Sequence, residues 1–275
     1  MGRTALVTGA SSGIGEATVR ALLKEGYAVF AGARRVDRMA PLEKLGARRV
    51  FLDLADDASI VSTAETVMKE KGRLDVLVNN AGYACLGALE DVPLAEARRE
   101  FEVCLFGLAR LCQLALPIMR GQGAGSIVNV GSMAGRFGEP FGAWYHAAKF
   151  ALEGLSDCLR MEAAPFGVRV ILVEPGTIRT EFGATAAESL IRASGDSAYA
   201  PYARRHAKML VWNDSSKVPS SPEGVAKTIA RALRSARPKT RYPTGAAARP
   251  MLFVRRIAPD WLFDRLMWRI SQSFG

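Results

Sequence analysis

The chain has 275 residues, 49% of them apolar and 23% charged, which is enough apolar side chain for a sizeable core and excludes a disordered or low-complexity chain. Lysine and arginine outnumber aspartate and glutamate 37 to 27, and the resulting +10 suits an anionic partner: nucleic acid, a membrane surface or a phosphorylated ligand. Four cysteines (Cys85, Cys104, Cys112, Cys158) make no Cys-x-x-Cys pair and are too sparse for a disulfide scaffold, so they read as small hydrophobes in a reducing compartment.

Met1-Gly2-Arg3 runs straight into the strand-like Ala5-Leu6-Val7, without room for a charged leader and an apolar signal region. Arg110 and Gln113 interrupt the apolar stretch 103–119, so no uninterrupted run nears the roughly 18 residues of a membrane span. A cytoplasmic protein with no integral membrane segment is the expectation.

In chain order, short uninterrupted apolar runs at 4–8, 28–31, 49–52, 76–79, 126–130 and 169–173 predict strands covered on both faces, hence a parallel sheet. Helical patterns lie between them. Ile14, Ala17, Thr18, Ala21 and Leu22 form one apolar stripe ending at Gly26, and Phe101, Cys104, Leu108, Leu111 and Ala115 mark a longer helix. This alternation predicts an α/β fold: one doubly wound, Rossmann-type parallel sheet flanked by helices, in a single domain over 1–275. Residues 181–220 carry Gly, Ser, Ala, Pro and Asn without a clean period and read as an irregular substrate loop or lid. Ser221-Pro222-Glu223 predicts a helix start ahead of 225–233, and Arg241-Tyr242-Pro243 a last edge strand. Residues 245–275 read as a C-terminal helical extension whose stretch 259–270 is basic and amphipathic, a pattern that packs on its own chain more often than on a membrane. The basic excess concentrates in 204–208, 231–241 and 249–269.

Thr8-Gly9-Ala10-Ser11-Ser12-Gly13-Ile14-Gly15 lies between the first strand and the first helix, where glycines permit close backbone approach and a helix N-terminus offers free N–H groups to a pyrophosphate. At the end of the second strand, where an acid would hold ribose hydroxyls, the chain reads Ala31-Gly32-Ala33-Arg34-Arg35. Two guanidiniums suit a 2′-phosphate, which predicts NADP(H); the plain alternative is a pair of solvated arginines near Asp37. Tyr145 and Lys149 are four apart and share a helix face, so the ammonium would favour ionisation of the phenol and bring a general acid or base toward neutrality. An isolated Tyr-x-x-x-Lys is usually only a surface pair. Ser132, just past the strand at 126–130, is placed to hydrogen-bond a substrate oxygen. His146 points away from the face of Tyr145 and Lys149 and reads as a solvated or packing histidine.

Taken together, the glycine turn, Asn79-Asn80-Ala81-Gly82, Ser132 thirteen residues before Tyr145, Tyr145-x-x-x-Lys149 and Pro175-Gly176-Thr177-Ile178 resemble the classical short-chain dehydrogenase/reductase family along nearly the whole chain. The phrasing around Tyr145 is most similar to the branch with hydroxysteroid and retinol dehydrogenases and bacterial ketoreductases. The resemblance implies that Tyr145 is the general acid or base, that Ser132 polarises the substrate oxygen, and that Lys149 binds the nicotinamide ribose and lowers the Tyr145 pKa. It further implies that Gly9, Ser11, Ser12, Gly13, Ile14 and Gly15 cradle the pyrophosphate, Arg34 and Arg35 the 2′-phosphate, and Asp53 and Leu54 the adenine. Asn80, Ala81 and Gly82 would hold the cofactor's ribose side, and Pro175, Gly176, Ile178 and Thr180 its nicotinamide end. No metal ligand set is read.

The resemblance departs at Glu102-Val103-Cys104-Leu105-Phe106-Gly107, where the family usually has an asparagine supporting a proton-passing water; Cys104 stands in that place, and a thiol is the weaker donor and acceptor. The relay could run through a local carbonyl, another polar group could substitute, or the protein could bind cofactor without turnover. The implied function is NADPH-dependent interconversion of an apolar ketone or aldehyde with its alcohol, with a 3-oxoacyl-thioester reductase and a non-catalytic NADPH-binding or regulatory protein as alternatives. No nucleic-acid reader motif accompanies the charge, so the expected partners are a small carbonyl or alcohol substrate and further copies of the chain, as a homodimer or homotetramer.

Overall fold

The strands divide their side chains between two apolar layers. Ala5, Val7, Val76, Val78, Val128, Val130, Ile171 and Val173 enter one core with Val19, Leu22 and Ile229 of the helices on that face. Their neighbours Leu6, Leu77, Ile127, Val170 and Leu172 enter the other with Leu108, Leu111 and Leu152. Alternate residues point to opposite faces, so a run that is apolar throughout belongs between two helix layers.

The computed structural model describes residues 2–215 and 220–274. The chain runs β1 (Thr4–Thr8), α1 (Gly13–Lys24), β2 (Ala28–Ala33), α2 (Ala40–Glu43), β3 (Arg48–Phe51), α3 (Asp57–Lys71), β4 (Val76–Asn79), α4 (Leu94–Phe101) and α5 (Gly107–Gln122). It continues β5 (Gly125–Val130), α6 (Ala143–Ala163), β6 (Val168–Pro175), α7 (Phe182–Ser194), α8 (Ala200–Ser215), α9 (Pro222–Arg234), β7 (Arg241–Thr244), α10 (Ala248–Ile257) and α11 (Asp260–Ser271). The strand order is β3-β2-β1-β4-β5-β6-β7, and every pairing is parallel. The order reverses between β1 and β4, and a crevice opens at the carboxyl ends of strands about such a point.

Two sequence expectations change. The stretch 181–220 is not an irregular loop where described: α7 and α8 occupy most of it, with Ala186, Ala187, Leu190, Ala203 and Ala207 buried between them. Residues 216–219 of that stretch lie outside the described residues. The long helix predicted through Phe101 and Ala115 is interrupted by one π turn, Glu102–Phe106, which separates α4 from α5. The helical run Leu94–Gln122 has the length and mean hydropathy of a membrane span, yet Leu108, Leu111, Cys112, Ala115 and Met119 bury their side chains against the sheet.

Candidate active site

The residues that follow β1 to β6 converge on one cleft of about 480 Å³. Its floor is the turn after β1. A Cβ on Gly9 would stand 2.8 Å from Ala81 Cα, and one on Gly15 only 2.2 Å from the Gly9 oxygen, so backbone packs on backbone here. Thr8 Oγ1 fixes the neighbouring turn by accepting from the Asn80 and Ala81 amides, both at 2.9 Å, and Asn80 Nδ2 donates back to the Thr8 carbonyl at 3.0 Å. Ser12 caps α1 without a side-chain hydrogen bond to the helix, leaving the first N–H groups turned to the cleft.

Arg34 and Arg35 border the same cleft past the end of β2. Arg35 donates to Ser11 Oγ at 3.4 Å and Ser12 Oγ at 3.3 Å and pairs with Glu181 at 3.5 Å, not with Asp37. Arg34 is exposed and makes no ion pair among the described residues. Asp53 and Leu54 follow β3 on the opposite wall, where Asp53 Oδ1 accepts from the Ala55 amide at 3.0 Å. Gly82, Pro175, Gly176, Ile178 and Thr180 line the remaining wall, so the structure brings together all the expected cofactor residues that border the cleft by side chain or backbone, with Gly15 packed behind them.

Tyr145 and Lys149 project from α6 one turn apart, and Ser132 begins the short turn Met133–Gly135 with its Oγ accepting from the Ala134 amide at 3.1 Å. The Ser132 hydroxyl faces the Tyr145 phenol and favours its ionised form. Lys149 Nζ donates to the Val130 carbonyl at 3.1 Å and lies 5.8 Å from the Tyr145 ring centroid. The expected lowering of the Tyr145 pKa by Lys149 is not what this arrangement produces: burial pushes the phenol well above its ordinary value, and the Ser132 hydroxyl only partly opposes it. Burial likewise pulls the Lys149 ammonium down, against the opposing effect of the Cys104 thiol and the Glu100 and Glu153 carboxyls nearby. A phenol held protonated is a proton donor in waiting.

Cys104 sits in the π turn, buried, its Sγ donating to the Tyr83 carbonyl at 3.6 Å. A Cβ on Gly82 would stand 3.4 Å from that sulfur and 4.0 Å from Lys149 Nζ, so thiol and ammonium flank one point of the cleft wall. Burial raises the Cys104 pKa and keeps the thiol neutral.

Sequence reasoning missed three residues of this neighbourhood. Glu100, one turn before Cys104, is fully buried; its Oε1 accepts from the Cys85 amide at 3.3 Å, Oε2 has no hydrogen-bond partner among the described residues, and burial raises it to about 7. Flanked by Arg98 and Arg99, it reads as part of a solvated face. Glu139 borders the cleft with its Oε1 3.6 Å from His146 Nε2. His146 does pack rather than sit in solvent, with Nδ1 on the Ala134 and Phe137 carbonyls, but it also borders the cleft. Burial alone would lower its pKa; Glu139 and the two carbonyls outweigh that and raise it. Phe137 closes the same wall and could not be placed without knowing that α11 packs behind it, at 5.3 Å between the Phe137 and Phe263 rings.

Comparison with known proteins places this arrangement. The short chain dehydrogenase family model matches residues 3–190. The probable short-chain type dehydrogenase/reductase VdlC of Helicobacter pylori is 35% identical over 262 residues, 95% of each chain. Retinol dehydrogenase 8 of Bos taurus is 32% identical over 279 residues, 94% of this chain and 86% of that one. A short-chain dehydrogenase crystal structure from Streptomyces avermitilis matches the fold with a TM-score of 0.81 at 33% identity, covering 99% of this chain and 97% of that one. Sequence and fold agree over nearly the whole length, and the chain belongs to the short-chain dehydrogenase/reductase family of oxidoreductases.

Proposed function

We propose that this protein is an NADP(H)-dependent carbonyl reductase or alcohol dehydrogenase acting on an apolar ketone, aldehyde or alcohol. The observation that carries the reading is the convergence of Ser132, Tyr145 and Lys149 on one wall of a cleft whose other end carries the glycine turn and the guanidiniums of Arg34 and Arg35. The donor set fits a dinucleotide: Gly9 and Gly15 leave no room for side chains, and the α1 N-terminus presents free amides. Ser11, Ser12, Gly13 and Ile14 would hold the pyrophosphate, Arg34 and Arg35 a 2′-phosphate, Asp53 and Leu54 the adenine. Asn80, Ala81, Gly82, Pro175, Gly176, Ile178 and Thr180 would hold the ribose and nicotinamide. When bound, the nicotinamide supplies or accepts the hydride.

Tyr145 gives its phenolic proton to the carbonyl oxygen, and Ser132 donates a hydrogen bond to the same oxygen, so charge that develops there meets two donors. Lys149, anchored on the Val130 carbonyl, binds a ribose hydroxyl beside the phenol. Phe137, Phe182 and Leu210 border the substrate side and favour an apolar body over a charged one. On this reading residues 1–275 work as one domain, with α7 and α8 as the lid and α10 and α11 closing the outer wall.

Incubation with NADPH and a panel of apolar ketones should give turnover that Tyr145→Phe lowers by roughly a hundredfold to ten-thousandfold while NADPH still binds. Cofactor binding with turnover absent from wild type would leave a non-catalytic binding protein, and turnover of 3-oxoacyl thioesters alone would leave the acyl-thioester alternative.

A further inference from the structure

Helices α10 and α11 each keep one face inside and one outside. The inner faces supply Phe263 and Met267, which are buried on Phe137 with Met251, Leu252 and Val254 packed around them. The outer faces repeat one spacing. Arg249, Phe253, Arg256 and Ile257 fall at i, i+4, i+7 and i+8 of α10, and Trp261, Arg265, Trp268 and Arg269 at the same offsets of α11. Phe253, Ile257 and Trp261 are 63%, 65% and 67% exposed, and Leu262 and Trp268 add to the apolar surface. Arg249, Arg256, Arg265 and Arg269 are exposed and make no ion pair among the described residues, unlike Arg255, which is held by Asp260 at 2.7 Å.

We propose that the outer faces of α10 and α11 dock this protein on an anionic lipid bilayer. An arginine-free apolar face would suit a partner helix or a second copy. Here four arginines are interleaved with the aromatic side chains against one acid without an ion pair among the described residues, Asp264, so twofold contact of this face with itself would bury a net positive charge. Nucleic acid would use the arginines but gain nothing from Ile257, Leu262 and Ile270, whereas the headgroup boundary of a bilayer buries aliphatic and indole groups and attracts cations together. The same feature accounts for part of the +10 charge that the cofactor cleft does not use. Because Phe263, on the inner face, packs on Phe137 of the cleft wall, docking would bring the cleft within about one helix diameter, ~10 Å, of the bilayer. The inference does not depend on the redox reading, and its test contains no cofactor.

The test is flotation of the full chain with phosphatidylcholine vesicles, with and without phosphatidylglycerol, across a salt series. Wild type should float with the anionic vesicles only and be released by salt. Phe253→Ala with Trp261→Ala should weaken partitioning by about tenfold or more, and each of Arg265→Gln and Arg269→Gln by about fivefold, with thermal melting unchanged. Brominated lipid should quench the tryptophan fluorescence of wild type, a readout that needs no variant. Failure to float with either vesicle, equal flotation with both, assembly of the chain through this face that Trp261→Ala dissolves, or capture by an oligonucleotide that displaces anionic vesicles would each overturn the proposal.

Discussion

Arg35 reaches across the glycine turn to Ser12, its guanidinium donating to the serine Oγ at 3.3 Å, while its neighbour Arg34 stays free of ion pairs among the described residues. Glu181 also draws on Arg35, so Arg34 is the more available cation for a 2′-phosphate. Arg34→Asp should therefore lower the NADPH to NADH ratio of kcat/KM by about ten- to hundredfold, since a charge-assisted hydrogen bond is worth ~1.5–3 kcal/mol. Arg35→Asp should lower it less. Steady-state kinetics with both cofactors check this, and a ratio unmoved by both substitutions removes the arginines from cofactor selection.

Gly15→Ala places a methyl group 2.2 Å from the Gly9 oxygen, against backbone that cannot step aside. The turn must open to admit it. NADPH affinity, followed by cofactor fluorescence, should fall by at least about tenfold even where the variant folds. Wild-type affinity in that variant would mean that the turn is not the phosphate cradle.

Glu100 ties pH to stability. Its folded pKa, raised by burial to about 7 from an ordinary carboxylate value of 4.5, means that the native state holds a proton the unfolded chain releases. Its contribution is full below the unfolded value and is lost as pH rises through about 7. Glu100→Gln keeps an acceptor for the Cys85 amide and removes the titration, so the variant should gain on wild type by up to roughly 3 kcal/mol between acid and neutral pH. Burial also raises the carboxyls of Glu153 and Glu174, and that slope is common to both proteins, so melting curves of the two over this window isolate Glu100. Parallel curves would place Glu100 in water.

Cys104→Asn sets a carboxamide where the thiol and Lys149 Nζ flank Gly82. An amide can both donate and accept, and a water bridged from it to the ammonium would help return the proton that Tyr145 gives away. Turnover should rise several-fold with cofactor affinity unchanged. A flat or lower kcat would show that proton return does not pass this point.

Phe263→Ala empties a buried site behind the cleft wall. Loss of the ring should cost about 3–5 kcal/mol in a denaturant titration. It should also raise the ketone KM more than the NADPH Kd, because Phe137 loses its 5.3 Å ring partner while the glycine turn is untouched.

The strands were legible because a sheet covered on both sides demands apolar residues at every position, a signal independent of register: Thr4–Thr8 and Val76–Asn79 emerge residue for residue. The cofactor wall was legible for a related reason, since each group follows a strand end directly. Helices α7 and α8 were not, because their contact is made by Ala186, Ala187, Ala203 and Ala207 around Leu190, and small side chains that let helices approach leave almost no hydrophobic period to read. Glu100 and Glu139 escaped for the opposite reason: charged residues advertise solvent, and only the packing of α4 buries the first and that of the loop before α6 half-buries the second on the cleft wall.

The π turn at Glu102–Phe106 is one residue of slack in what would otherwise be a single rod. It sets the phase between two rotors. Upstream, Ala97 and Glu100 lock α4 inward; downstream, Leu108, Leu111 and Ala115 key α5 to the sheet, so neither half can turn to suit the other. Taking one residue out of the turn would swing one half by about 100° relative to its neighbour. The sheet key is the larger, so α4 would be the half to swing, lifting Glu100 from beside Cys85 and Cys104 from beside Gly82 together. The spacing of the cleft wall is thus held by a count of residues as much as by their identity.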